Sequence, residues 1–201
     1  MKFARNSARN IAKELDFRKS IEYIKEIKEI INAEFSKAKT KLISDFEIHP
    51  ITREIEGGTG ASNISGTLQG RSNLYSFIGF KYGEKPLEPI KDLLDRVEIT
   101  SILTRRDGFA STNVLYPTPD DIFRVTPLPW ADGRSWAKGI ERGISNLGQH
   151  IDVKSDASRS GRGLQNSNVE SGLNFSPTPY ITSIIGDFEK TINDLNRRQI
   201  V

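Results

Sequence analysis

The chain has 201 residues, 36% of them hydrophobic and 27% charged, with a net charge of +3, which suits one domain with a full core or one domain with long appendages. It has no cysteine and two histidines, His49 and His150, so disulfides and thiolate metal sites are excluded and neither a zinc site nor a histidine-based triad is supported. No window approaches the roughly 18 apolar residues of a membrane span, and the N-terminus lacks the apolar core of a secretory signal, so we expect synthesis in the cytoplasm and no membrane partner.

Residues 16–46 are predicted to form one long helix, because they lack Gly and Pro and repeat apolar side chains at steps of three and four. Thirty-one residues at about 1.5 Å each would extend roughly 46 Å, so we expect part of this helix to pack on another subunit. Residues 1–45 carry eleven basic and seven acidic side chains, a net of +4. Their alternating signs are typical of a solvated helix face, although an acidic partner or nucleic acid would also suit a basic end.

The stretch from Gly57 to Gly83 combines many glycines with a dense aromatic pattern. Its glycines indicate turns or close backbone approaches that a Cβ would prevent. A phosphate loop is not indicated, because no Gly-Lys-Ser/Thr follows Gly60 and the third glycine of a dinucleotide fingerprint is missing. We predict a turn or extended segment at a subunit boundary, followed by a strand at Asn73–Tyr82.

The middle of the chain is predicted to complete a small sheet. A short amphipathic helix is expected at residues 86–97, and a hairpin is expected from Val97 to Tyr116 because Asp107-Gly108 is a strong hairpin signal. Residues 122–126 are predicted as a further short strand, after which the prolines at 127 and 129 should end the sheet. The pair Asp120-Asp121 is expected to serve as a turn or helix cap.

The C-terminal part is predicted to contain two helical stretches separated by a loop. Trp136 to Ile151 has helical periodicity, and residues 152–174 have the composition of a flexible or partner-ordered loop. Residues 175–201 are expected to form a C-terminal helical extension. The sequence thus predicts an α+β fold, with residues 1–151 as a single domain in which the long helix packs on a small, mostly antiparallel sheet.

Few side chains suggest chemistry. Glu54 with Glu56 could in principle act as acid, base or metal ligand, but no third acidic partner or histidine accompanies them. The pairs Arg105-Arg106 and Arg197-Arg198 could contact phosphates. The loop with Arg159 and Arg162 suits a phosphate backbone best, and it suits an acidic protein groove equally well. No cofactor or metal is expected.

The segment from Thr59-Gly60 through Ile64-Ser65-Gly66-Thr67-Leu68 resembles the Thr-Gly-x-Leu-type segment that follows the first helix in phage head-tail connector and tail-completion proteins. Two further strings, Asn73–Phe80 and Gly133–Glu141, are similar to neck proteins of contractile-tailed phages. The likeness extends over about residues 10–165, and this chain departs from shorter members by its extra C-terminal helix.

The resemblance implies a non-enzymatic virion protein, made in the host cytoplasm, that forms a homo-oligomeric ring between portal and tail. Its implied partners are other neck, portal or tail proteins, with passive contact to passing DNA. The candidate subunit-interface residues are Gly60, Asn63, Ile64, Gly66, Leu68, Phe77, Phe80, Arg159 and Arg162. Two alternatives stay open: a nucleic-acid-associated packaging factor or small nuclease, and a toxin-like or regulatory protein that dimerises through the long helix.

Overall fold

The computed structural model describes residues 21–68, 73–104, 110–142 and 178–197. It confirms an α+β fold with a long N-terminal helix, small antiparallel sheets and C-terminal helices. The helices are α1 (Ile21–Ile48), α2 (Pro50–Glu56), α3 (Leu74–Ile78), α4 (Glu88–Asp95), α5 (Pro119–Arg124), α6 (Trp136–Arg142) and α7 (Ile181–Arg197). The strands are β1 (Glu98–Thr104), β2 (Ala110–Leu115), β3 (Pro127–Leu128) and β4 (Ala131–Ser135).

The chain divides into two compact units. Unit one comprises Met1–Thr40, Val97–Leu115 and Phe188–Val201, and unit two comprises Lys41–Arg96 and Tyr116–Asp187. Helices α1 and α7 therefore each contribute residues to both units. The predicted domain from 1 to 151 stays a prediction.

Unit one is a β-hairpin packed on helical residues. Strands β1 and β2 pair antiparallel, with Ile102 opposite Thr112, which confirms the predicted hairpin. The core of this unit includes a cluster of buried apolar side chains with three partly buried neighbours. The buried members are Ile27, Ile31, Ala110 and Leu195, and the neighbours are Tyr23, Ile99 and Ile102. The apolar stripe predicted on the long helix thus supplies one side of this core.

The side-chain amide of Asn196 occupies the outer edge of β2. Its Oδ1 accepts a hydrogen bond from the backbone N of Thr112 at 2.7 Å, and its Nδ2 donates to the Thr112 carbonyl oxygen at 3.1 Å. Thr112 therefore directs both backbone groups away from β1. In an antiparallel pair, when one residue directs its backbone groups away from the partner strand, the residue directly opposite does the same. Ile102, opposite Thr112, therefore directs its backbone groups toward the outer edge of β1.

In unit two, the end of α1 leads directly into α2. Helix α1 ends at Ile48, and His49 caps α2 because its Nδ1 accepts a hydrogen bond from Ile51 N at 3.3 Å. The predicted stop near His49 is confirmed, since Pro50 disfavours helical geometry in the residue before it. Tyr180 lies fully buried beside His49, with ring centroids 4.7 Å apart, and its Oη lies 2.6 Å from Thr52 Oγ1.

The strand predicted at Asn73–Tyr82 is wrong, because Leu74–Ile78 forms helix α3. Asn73 caps this helix by accepting a hydrogen bond from Ser76 N, and Gly79 ends it in the left-handed conformation at φ 92°. The buried side chains are Leu74, Tyr75 and Ile78, a helical spacing that strand alternation would not give. This stretch therefore does not form a strand of the sheet.

The strand predicted at residues 122–126 is also wrong, since Pro119–Arg124 forms helix α5. Thr118 and Asp121 form a capping box, which confirms the predicted cap role of the acidic pair. The prolines do not end all strand pairing, because Pro127–Leu128 pairs with Ala131–Ser135 in a second short hairpin. The described residues therefore form two two-stranded sheets rather than one sheet of four.

Three predicted helices correspond to observed elements. Helix α4 lies within the predicted range 86–97, α6 covers the start of the one predicted from Trp136, and α7 lies within the C-terminal extension. The start of the long helix before residue 21, and the predicted loop at 152–174 with Arg159 and Arg162, lie outside the described residues.

Candidate functional site

The buried carboxylate of Glu54 organises the segment that the sequence singles out. Its Oε1 accepts hydrogen bonds from Asn63 Nδ2 at 2.9 Å and from Leu74 N at 2.7 Å. Its Oε2 accepts from Asn63 Nδ2 at 3.1 Å and from Ser65 N at 2.9 Å. A buried charge is tolerated when hydrogen bonds replace its lost hydration. Glu54 thus anchors the backbone around it, and this contact set gives it a structural role.

Two asparagines hold the rest of what we call the glycine segment, residues 57–68. Asn63 Oδ1 accepts a hydrogen bond from Leu68 N at 3.0 Å. Asn73 Nδ2 donates to the carbonyl oxygens of Thr59 and Ala61, at 3.2 and 3.1 Å. Side-chain amides can satisfy backbone groups that have no partner in regular structure, which is how an irregular segment acquires one conformation. The glycine segment is therefore specifically positioned beside α2 and α3.

The structure separates the predicted interface residues into surface and core. Gly60, Ile64 and Gly66 lie on the surface, and Ile64 is 51% exposed despite its apolar side chain. Leu68 and Phe80 are buried, with the Phe80 ring in an edge-on contact with Trp136. The remaining described members, Asn63 and Phe77, are partly buried.

Further large apolar side chains are exposed in each unit. Unit two exposes Ile48, Ile64 and Tyr82, and unit one exposes Ile30, Leu103 and Leu115. Leu103 and Leu115 are 58% and 57% exposed. The register of the hairpin places them on the face opposite Ile102 and Thr112, which face the core of that unit. This hairpin face therefore has an exposed apolar side chain near each end.

Unit two contains a groove of about 480 Å³ that we call the basic groove. It lies between α5, β4 and α6, and its lining contains three cationic side chains, Arg124, Arg134 and Lys138, with Asp120 as the carboxylate among them. The lining residues are Asp120, Phe123, Arg124, Pro127, Gly133, Arg134, Ser135 and Lys138. Sequence reasoning missed this site, because the three cations are dispersed and meet only once α5 is seen as a helix and β4 as a strand.

A second groove of unit two, of about 260 Å³, is electrostatically different. Its two lysines are each engaged by a carboxylate, with Lys85 Nζ 2.7 Å from Glu88 Oε1 and Lys91 Nζ 2.8 Å from Glu56 Oε1. Glu84 also lines it. Its charges are therefore largely compensated within the protein.

Among the residues that the structure describes, no three His, Asp or Glu side chains are grouped so that they could hold a metal ion. Within the same residues, no helix has the length and apolar character needed to cross a membrane. Comparisons with protein-family models, with curated proteins and with solved structures gave no match. The resemblance to neck proteins therefore depends on the two strings of residues in the sequence.

Proposed function

We propose that the protein is a virion structural subunit of a phage neck, a head-tail connector or tail-completion protein that assembles into a homo-oligomeric ring joining portal and tail. The resemblance at Thr59–Leu68, Asn73–Phe80 and Gly133–Glu141 supports the family. The exposed positions of the glycine segment, Gly60, Ile64 and Gly66, are compatible with a role at a subunit boundary.

The observation that carries the assembly proposal is the pair of exposed apolar side chains on the outer face of the hairpin in unit one. The other face of the hairpin packs on a cluster that includes Ile27, Ile31, Ala110 and Leu195, and a two-stranded hairpin needs substantial apolar support to be stable. The opposite face of the hairpin exposes Leu103 and Leu115. Among the described residues, no strand pairs with the outer edge of β1. A neighbouring subunit that covered this face would add buried apolar area, at roughly 25 cal/mol per Å².

Native mass spectrometry and electron microscopy of the purified protein, alone and mixed with portal and tail, test the proposal. We expect rings, or binding to one of these partners. Replacing Leu103 and Leu115 together by Glu should abolish assembly, while the circular-dichroism melt stays close to that of the parent. Ser36→Glu, which adds a charge at another exposed position of unit one, is the control and should assemble. A parent protein that stays monomeric and binds neither portal nor tail would refute the proposal.

The alternative function is that of a nucleic-acid-associated packaging factor or small nuclease. The observation in its favour is the basic groove. Incubation with plasmid DNA and Mg²⁺ separates the two proposals, because a nuclease converts supercoiled DNA to nicked or linear forms and a neck subunit leaves it intact.

A further inference from the structure

We propose that the basic groove binds the phosphate groups of a nucleic-acid strand. Its three cations come from three elements: Arg124 from α5, Arg134 from β4 and Lys138 from α6. Cationic side chains that converge on one groove provide the electrostatic part of phosphate recognition. This inference does not depend on ring assembly.

Two of the three cations are held in place by neighbours. Arg124 Nη1 lies 3.1 Å from Asp121 Oδ1, and Asp121 is itself fixed by the capping box with Thr118. Lys138 Nζ lies 5.6 Å from the centroid of the Phe123 ring, a cation-π contact that leaves its N–H groups able to donate to an anion. Such restraint lowers the conformational entropy that a long side chain loses when it binds.

Among the described residues, Arg134 and Lys138 have no ion-pair partner. The lysines of the second groove, by contrast, each have a carboxylate partner. An incoming phosphate therefore displaces no described ion-pair partner at either position. Asp120 also lines the groove, and we expect its charge to limit the affinity.

The form of the groove favours a strand over an isolated phosphate compound. Arg134 is exposed, and the cations lie along an open surface groove rather than around an enclosed cavity. The Phe123 ring is covered by Lys138 on one face, so the arrangement favours backbone contacts over base stacking. Contacts of this kind position a nucleic acid without reading its sequence.

Fluorescence anisotropy with labelled single- and double-stranded DNA, between about 50 and about 200 mM salt, tests the proposal. Three phosphate contacts on duplex DNA would lower the affinity roughly 40-fold over this range. Arg134→Gln and Lys138→Gln should each reduce the slope of log affinity against log salt concentration by about 0.9. Each variant should then lose affinity only roughly 12-fold over the same salt range. Arg53→Gln is the control, because Arg53 is an exposed arginine of the same unit outside the groove, and it should leave the slope unchanged.

Four outcomes would overturn the proposal. They are absence of DNA binding at about 50 mM salt, an equal effect of Arg53→Gln, equal competition by polyglutamate at matched charge, and binding of pyrophosphate as tight as that of DNA. The last would identify a small phosphate compound as the ligand. Arg134→Lys, which keeps the charge, should retain most of the affinity and shows that the fold is intact. Native mass spectra of the Gln variants should match the parent, so that failure here is distinguished from failure of ring assembly.

Discussion

Individual side chains hold the irregular parts of unit two, and Glu54 is the clearest example. In Glu54→Gln, one acceptor oxygen becomes an NH₂ group that faces backbone N–H donors from Ser65 or Leu74. Because a buried donor would lose its partner, we expect a loss of roughly 1–3 kcal/mol in the free energy of unfolding. Urea denaturation measures it. Glu56→Gln, which removes an exposed ion pair with Lys91, should cost less than about 1 kcal/mol. Equal effects of the two substitutions would contradict the anchoring role.

His49 gives the stability of unit two a pH dependence. Burial lowers the pKa of His49 below its usual value of 6.5, so the unfolded chain takes up a proton at a higher pH than the folded protein. Stability is therefore fully present above pH 6.5 and declines as the pH falls from there toward the lowered pKa of the folded state.

We expect His49→Asn to reduce this decline, because Asn keeps a helix-capping acceptor for Ile51 N but does not titrate. The melting temperature of the parent and of His49→Asn is measured at pH 7.5 and at pH 5. The drop in melting temperature between the two pH values is compared between the proteins, because carboxylates also titrate in this range. An unchanged difference between the two pH values would mean that His49 contributes nothing to it.

At the level of the element, the short helix α3 depends on its two ends. Gly79 adopts φ 92°, a left-handed conformation that costs L-residues with a Cβ about 1–2 kcal/mol. Gly79→Ala should therefore destabilise the protein by roughly 1 kcal/mol, and Gly79→Asn should cost less because Asn tolerates this conformation. Thermal denaturation of both variants checks the order. If Ala is tolerated as well as Asn, the cap does not require a left-handed residue.

The errors in the sequence-based prediction arise from short elements. Asn73 and Gly79 are recognised helix start and stop signals, but only five residues lie between them, and the spaced aromatic residues imitate strand alternation. Thr118-Pro119-Asp120-Asp121 likewise carries a helix start that the β-rich composition after it obscured. By contrast, the long helix, the hairpin and the C-terminal helix have enough periodic positions to be predicted.

Across the whole molecule, the site residues that tertiary packing brings together could not be found from the sequence. The sequence predicts a turn or extended segment in the glycine segment, but its anchor Glu54 lies in the preceding helix, and nothing in the spacing joins it to Ser65 and Leu74. The basic groove combines Arg124, Arg134 and Lys138 from separate elements. Such sites depend on tertiary packing, which a single sequence does not reveal.

At the scale of the whole molecule, the proposed assembly should depend on which strand edges are open. Asn196 covers the outer edge of β2 at Thr112, while among the described residues no strand covers that of β1. Exposed strand edges promote pairing between chains, and an interface that repeats without closing produces open-ended polymers. Asn196→Ala should therefore open a second edge and increase aggregation, seen as higher light scattering at equal protein concentration.

Asn193→Ala is the matched control, because it makes the same substitution at an exposed position of the same helix. We expect it to scatter light like the parent protein. If the two variants scatter equally, the amide of Asn196 does not protect the edge. If Asn196→Ala lowers the melting temperature without added scattering, the amide contributes stability to unit one, and closure of the proposed ring would depend on other surfaces such as the hairpin face with Leu103 and Leu115.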